Sequence, residues 1–138
     1  MSSTPLFTAK MNILVVDDEE YMRSALKALL ETWGYQTTIA SNGQEALDAI
    51  LEKEPTPHSF SLIITDITMP VMNGVRLIEE VRKLERLVPV LVMSGNIDRE
   101  TAACLVRHEM VQILHKPFIP DDLMVIAMGV FSSGALRG

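Results

Sequence analysis

Asp17-Asp18-Glu19-Glu20 directly follow the apolar run Ile13 to Val16, and Asp66 follows Leu62 to Ile64 within Ile64-Thr65-Asp66-Ile67-Thr68-Met69-Pro70. If those runs are neighbouring parallel strands, their carboxylates meet. Carboxylates crowded into a partly dry crevice repel, and they raise each other's pKa unless a cation sits among them. Every donor there is an oxygen, which suits Mg²⁺, a hard ion that keeps several waters and is commonly held by one or two carboxylates beside a phosphate. Two further groups follow apolar runs: Ser94 with Gly95 after Val88 to Met93, and Lys116 with Pro117 after Val111 to Leu114. Pro117 cannot continue a strand ladder, so the strand ends there. Each group has a plain account when taken singly. Asp17 and Asp18 suit a helix N-terminus, where acids complement the macrodipole; Ser94 suits a turn, and Lys116 an exposed surface. Their convergence at four strand ends points instead to one site.

The elements that must carry these residues are legible in the periodicity. Continuous apolar runs mark four strands, and Tyr35 to Ala40 is a weaker fifth. Between them lie helical patterns. Met22, Ala25, Leu26, Leu29, Leu30 and Trp33 share one face of a first helix that stops at Gly34. A second helix is expected from Ser41, with Gln44 in a capping-box position, to an end marked by Pro55 and Pro57. A third spans about Val75 to Glu85, a fourth Asp98 to Arg107 and a fifth Pro120 to about Phe131. Continuous apolar strands alternating with helices imply right-handed parallel crossovers, hence a doubly wound α/β sandwich with five parallel strands. Such folds bind ligands outside the carboxyl ends of their strands, where the acids, Ser94 and Lys116 fall.

The chain has 138 residues and a net charge of −6, which suits one domain and argues against direct nucleic-acid binding. Its one cysteine, Cys104, cannot form an internal disulfide. No signal peptide is apparent and no apolar run reaches membrane-spanning length, so a cytoplasmic protein without membrane insertion is expected. Residues 1–10 read as a disordered leader, 11–131 as the folded domain and 132–138 as a tail.

Taken in order, Leu14-Val15-Val16-Asp17-Asp18-Glu19, Leu62 to Pro70 with Met72-Asn73-Gly74, Val92-Met93-Ser94-Gly95, and Lys116-Pro117-Phe118 resemble the receiver domains of two-component response regulators. The resemblance covers Met11 to about Val130 and implies a flavodoxin-like sheet of order 2-1-3-4-5. It implies that Asp66 is the phosphoacceptor, that Asp18 binds Mg²⁺ directly and Asp17 through water, and that the Thr68 carbonyl is a third protein ligand. Ser94 would bond a phosphoryl oxygen and Lys116 would pair with Asp66 and then with the phosphoryl group. The side chains of Thr68 and Asn96 would tune access of hydrolytic water. The implied partners are a sensor histidine kinase or histidine phosphotransfer protein and a downstream protein target.

Two positions depart from the family pattern. Ile113 stands where many members carry an aromatic switch residue, and His108-Glu109-Met110-Val111 replaces a small Gly-Ala pair. The last helix should bury Leu123, Ile126, Ala127 and Val130, yet Met124, Val125, Met128 and Phe131 add apolar surface on neighbouring faces. That surface suits a partner, a homodimer or a continuation of the chain, or else packs under a loop. His58, His108 and His115 lack common metal-ligand spacing and read as solvated or packed, and Cys104 reads as a small hydrophobe. A magnesium phosphohydrolase would place a second acid at Thr68, and a flavin carrier would need a phosphate loop after the first strand; both are disfavoured.

Overall fold

The computed structural model describes residues 11–53, 60–84, 88–108 and 110–137, with side chains through residue 129. The expected leader at residues 1–10 lies outside them, as do Pro55, Pro57, His58, Glu85 and Glu109 and the side chains of Val130 and Phe131. Strands and helices alternate as β1 (Asn12–Val16), α1 (Glu20–Thr32), β2 (Gln36–Ala40), α2 (Gly43–Lys53), β3 (Leu62–Asp66), α3 (Gly74–Lys83), β4 (Val90–Ser94), α4 (Arg99–Val106), β5 (Val111–His115) and α5 (Pro120–Arg137). All strand pairs are parallel, in the order β2-β1-β3-β4-β5. The chain therefore winds one way from β1 to β2 and the other way from β3 onward, which opens a crevice at the carboxyl ends of β1 and β3.

Side-chain alternation along each strand divides the core in two. Leu14, Val16, Ile63, Val90 and Val92 pack with Ala46 and Ile50 of α2, Leu77, Ile78 and Val81 of α3, and Leu105 of α4. Ile13, Val15, Leu62, Ile64, Leu91 and Met93 pack with Leu26 and Leu30 of α1 and Leu123 and Ala127 of α5. Both faces are covered, which is why the strands read as unbroken apolar runs.

Helix ends follow local chemistry. After α1, Gly34 takes φ 95°, and the Tyr35 N–H donates back to the Leu30 carbonyl at 3.2 Å, the left-handed closure that glycine permits. The second helix differs from expectation by one residue at its start. Its capping box uses Asn42 and Glu45 rather than Ser41 and Gln44: the Glu45 N–H donates to Asn42 Oδ1 at 2.9 Å, and the Ser41 N–H donates to Glu45 Oε1 at 2.8 Å. Gln44 instead reaches Asp48 along the helix at 3.0 Å. The third and fourth strands also run further than their apolar residues, since Asp66 and Ser94 are the final residues of β3 and β4. At the other end of the chain α5 passes the expected stop near Phe131 and continues to Arg137.

Candidate functional site

Asp17 emerges directly from β1 and is fully buried; its neighbour Asp18 is exposed. One carboxylate oxygen of Asp17 accepts from the Glu19 N–H at 2.9 Å, while Oδ2 has no hydrogen-bond partner. Asp66 closes β3, next to β1 in the sheet, and its Oδ1 accepts from the Ile67 N–H at 2.7 Å. Carboxylate oxygens of Asp17, Asp18 and Asp66 lie within 4.8 Å of one another. Lys116, just past β5, reaches across β4: its Nζ is 3.2 Å from Asp66 Oδ2 and 3.8 Å from Asp17 Oδ2.

Burial pushes the Asp17 carboxyl above the usual carboxylate range; the Glu19 N–H and Lys116 oppose this, and the charges of Asp66 and Asp18 add to it. One lysine thus faces three acids, and a buried carboxylate oxygen points into the cluster with no donor to satisfy it. Such groups cost free energy unless a cation or donor compensates them. An all-oxygen set with an orphaned buried oxygen fits a hard divalent cation.

The loop after β3 is held from both sides. A side chain on Gly74 would run into the Asp66 carbonyl oxygen and stand 3.1 Å from Ile67 Cα, while one on Gly43 would stand 2.6 Å from the Met72 carbonyl oxygen. The Gly74 N–H donates to the Ile67 carbonyl at 2.8 Å, and the Asn73 side chain caps α3 by accepting from the Arg76 N–H at 2.9 Å. Glycine at position 74 therefore lets α3 start against the backbone of Asp66 itself. Thr68 lies on this loop, two residues beyond Asp66 and exposed; Val71 takes φ 68° at the turn that returns the chain to α3.

Ser94 is almost fully buried at the end of β4, and its carbonyl accepts from the Lys116 N–H at 2.7 Å, which ties the two strand ends together. Asn96 is exposed on the following loop. Ile113 pairs with Val92 in the sheet and packs against the core on the α3 side. Arg23 was not singled out by sequence: from the first turns of α1 its Nη1 donates to the Asp17 carbonyl at 2.8 Å. An arginine six residues after the acid was its only signal.

Cys104, read from the sequence as a small hydrophobe, and His108, read as solvated or packed, are both half-buried and lie side by side. A ligand atom from each lies within 4.8 Å of the other and of one from Glu79. The pair is four residues apart and straddles the end of a helix, so its meeting with Glu79 depends on how α4 packs on α3.

The family model of the response regulator receiver domain matches residues 13–127. The chain is a response regulator receiver domain. Among curated proteins, the receiver domain is 34% identical over 116 residues to the transcriptional regulatory protein ZraR of Klebsiella oxytoca, covering 84% of this chain and 25% of that protein. It is 32% identical over 116 residues to the transcriptional regulatory protein FixJ of Bradyrhizobium diazoefficiens, covering 84% of this chain and 54% of that one. The chain thus spans about a quarter of the first relative and about half of the second. Among solved structures, a CheY-like receiver domain protein from Methanospirillum hungatei superposes with a TM-score of 0.85 at 27% identity, covering 94% of this chain and all of that one. The sheet order and the two-component phosphoacceptor class expected from sequence agree with this membership. No helix among the described residues is long and apolar enough to cross a membrane.

Proposed function

We propose that this receiver domain accepts a phosphoryl group on Asp66 from a phosphohistidine of a sensor kinase or phosphotransfer protein, and catalyses both that transfer and its later hydrolysis. The observation that supports this most is the Lys116 ammonium 3.2 Å from Asp66 Oδ2, beside a buried Asp17 oxygen that has no hydrogen-bond donor. An Asp66 oxygen attacks phosphorus, the P–N bond breaks, and the imidazole leaves and takes up a proton. The product is an acyl phosphate. Its loose transition state needs alignment and positive charge around the equatorial oxygens more than covalent help.

Lys116 is placed to supply part of that charge, and the Ser94 hydroxyl is the donor offered to a phosphoryl oxygen. Asp17, Asp18, Asp66 and the Thr68 carbonyl are the residues that would hold Mg²⁺. Bound there, Mg²⁺ neutralises charge on phosphoryl oxygens and relieves the mutual repulsion of the acids. The Ile67 N–H holds Asp66 Oδ1, which leaves Oδ2 as the oxygen presented to Lys116. The side chains of Thr68 and Asn96, both exposed beside the site, would govern how water reaches the acyl phosphate.

A groove of about 670 Å³ opens beside Lys116, lined by Tyr21, Met22, Leu29, Phe118 and Pro120. Its apolar walls suit the approach of a protein-borne histidine. Output runs through protein contact, with the exposed Val125 and Met128 of α5 as the face offered to a partner or a second copy. A Met128→Glu variant with unchanged sedimentation and target binding would remove that face from the account. Direct nucleic-acid binding is not part of this reading. A cytoplasmic location suits both a kinase donor and the unpaired thiol of Cys104.

The deciding experiment is intact mass after incubation with acetyl phosphate, with and without Mg²⁺, on wild type and Asp66→Asn. One added phosphoryl group that needs Mg²⁺ and disappears in Asp66→Asn is the expected result. No adduct under conditions that label a control receiver would overturn self-catalysed transfer.

A further inference from the structure

On the sheet face opposite α1 and α5, the contact between α3 and α4 gathers three residues of different chemistry. Glu79 comes from α3, Cys104 from α4, and His108 from the turn after the α4 cap residue Arg107. A carboxylate oxygen, the thiol sulfur and an imidazole nitrogen lie within 4.8 Å of one another. All three residues are half-buried, so they are shielded by the two helices yet open to an ion from solvent.

Local structure explains why two of them meet. The helical path persists past α4, with the Arg107 N–H donating to the Cys104 carbonyl at 3.3 Å and the His108 N–H to the Leu105 carbonyl at 3.1 Å. These bonds to the residue three back tighten the chain into a 3₁₀-type turn, which keeps His108 about one turn beyond Cys104. The third is left available by its neighbour. Glu80 takes both Arg76, at 2.9 Å, and Lys83, at 3.1 Å, and no cation among the described residues pairs with Glu79. Nor does a hydrogen bond or ion pair join Glu79 to His108 among those residues, so the packing of α4 on α3 brings the three side chains together with no polar bond between these two. A thiol acting only as a small hydrophobe would need neither neighbour.

We propose that Glu79, Cys104 and His108 form a second metal site, of the zinc class, separate from the oxygen-only acid cluster. Thiolate, imidazole and carboxylate are together the donor set of Zn²⁺ and its first-row neighbours, and a thiolate disfavours Mg²⁺. Tetrahedral bonds of roughly 2.0–2.3 Å place ligand atoms roughly 3.3–3.8 Å apart, so side chains already within 4.8 Å of one another have at most about 1.5 Å to close. Half-exposed side chains on helix surfaces can do so by small χ rotations. Binding breaks the S–H bond of Cys104, sends that proton to solvent and forms the metal–sulfur bond, while the imidazole binds through a neutral nitrogen. The fourth position falls to water.

Bound metal would clamp α4 to α3. The helix α4 has eight residues and buries only Leu105 fully, so a clamp at its C-terminal end restrains an element with little core of its own. Its N-terminal end follows Ser94 and the exposed Gly95 and Asn96 by a short loop.

The test uses the full chain, reduced, in excess Mg²⁺ so that the acid cluster is occupied, and titrates Co²⁺ while recording absorption. The expected result is one equivalent bound, with a sulfur-to-cobalt charge-transfer band and visible bands of tetrahedral intensity that Zn²⁺ abolishes. Cys104→Ser should lose the charge-transfer band. Glu79→Gln and His108→Ala should weaken Co²⁺ binding by more than about tenfold, the loss seen even for residues that only support a ligand. Asp66→Asn should leave the spectrum unchanged, and circular dichroism checks that each variant is folded. Absence of the charge-transfer band at saturating Co²⁺, equal affinity in folded Glu79→Gln, or binding that Mg²⁺ displaces would each overturn the site.

Discussion

The two side-chain clusters that could hold a metal in this receiver domain are held by different kinds of structure. Asp17 and Asp66 leave adjacent strands whose register is fixed by backbone hydrogen bonds, with Val16 beside Thr65 one residue earlier. Lys116 is placed by the same ladder, through Ser94 paired with His115. Glu79, Cys104 and His108 instead meet across a helix contact, where side-chain packing alone sets the spacing. The first cluster is oxygen-only, contains a fully buried acid and faces a cation. The second mixes oxygen, sulfur and nitrogen, and each member is half-buried. A sheet edge can thus hold like charges together against their repulsion, whereas a helix seam holds groups that have little reason to repel.

The largest effect that separates the two is expected at Lys116. Lys116→Met removes the positive charge beside Asp66, and on the proposed function the initial rate of phosphorylation by acetyl phosphate should fall by roughly 10²–10³-fold. The Co²⁺ spectrum of the helix seam should not change; if it does, the clusters are not independent.

Backbone support comes next. Gly74→Ala forces a methyl group against the Asp66 carbonyl and should cost about 1–3 kcal/mol in urea unfolding, with slower phosphorylation because Asp66, the proposed acceptor, shifts. A stable Gly74→Ala that is phosphorylated at the wild-type rate would show that α3 can move without Asp66, and that the sheet edge alone positions the proposed acceptor.

The smallest effect concerns the charge stored at Asp17. Its carboxyl is raised chiefly by burial, so the folded state binds a proton that the unfolded state has released between the ordinary and the raised pKa. The stabilising contribution is therefore complete below the ordinary carboxylate pKa and lost as pH rises through the raised one. Metal-free Asp17→Asn should then melt a few degrees above wild type at neutral pH, with the gain vanishing in acid. Mg²⁺ should raise the melting temperature of wild type more than that of the variant. A variant less stable at neutral pH would mean that Asp17 is held by its bond from Glu19 more than it is penalised by burial.

The sequence by itself determined the parallel α/β architecture and the residues at its strand ends, because apolar runs buried on both faces leave a plain signature and the acids, Ser94 and Lys116 that follow them fall at one carboxyl edge. Asp17, Asp66, Ser94 and Lys116 were legible for that reason, and the order of their motifs pointed to the family. Local detail was less legible. Asn42 and Ser41 are both good caps, and only the path of the chain into α2 made Asn42 the one that bonds Glu45. The adjacent Asp17 and Asp18 look alike in sequence, yet the exit angle of β1 buries one and exposes the other. Tertiary structure alone decided that Glu79 meets Cys104 and His108. Nothing in the spacing between residue 79 and residue 104 encodes a helix crossing, since that contact depends on how two amphipathic faces seat on one side of a twisted sheet.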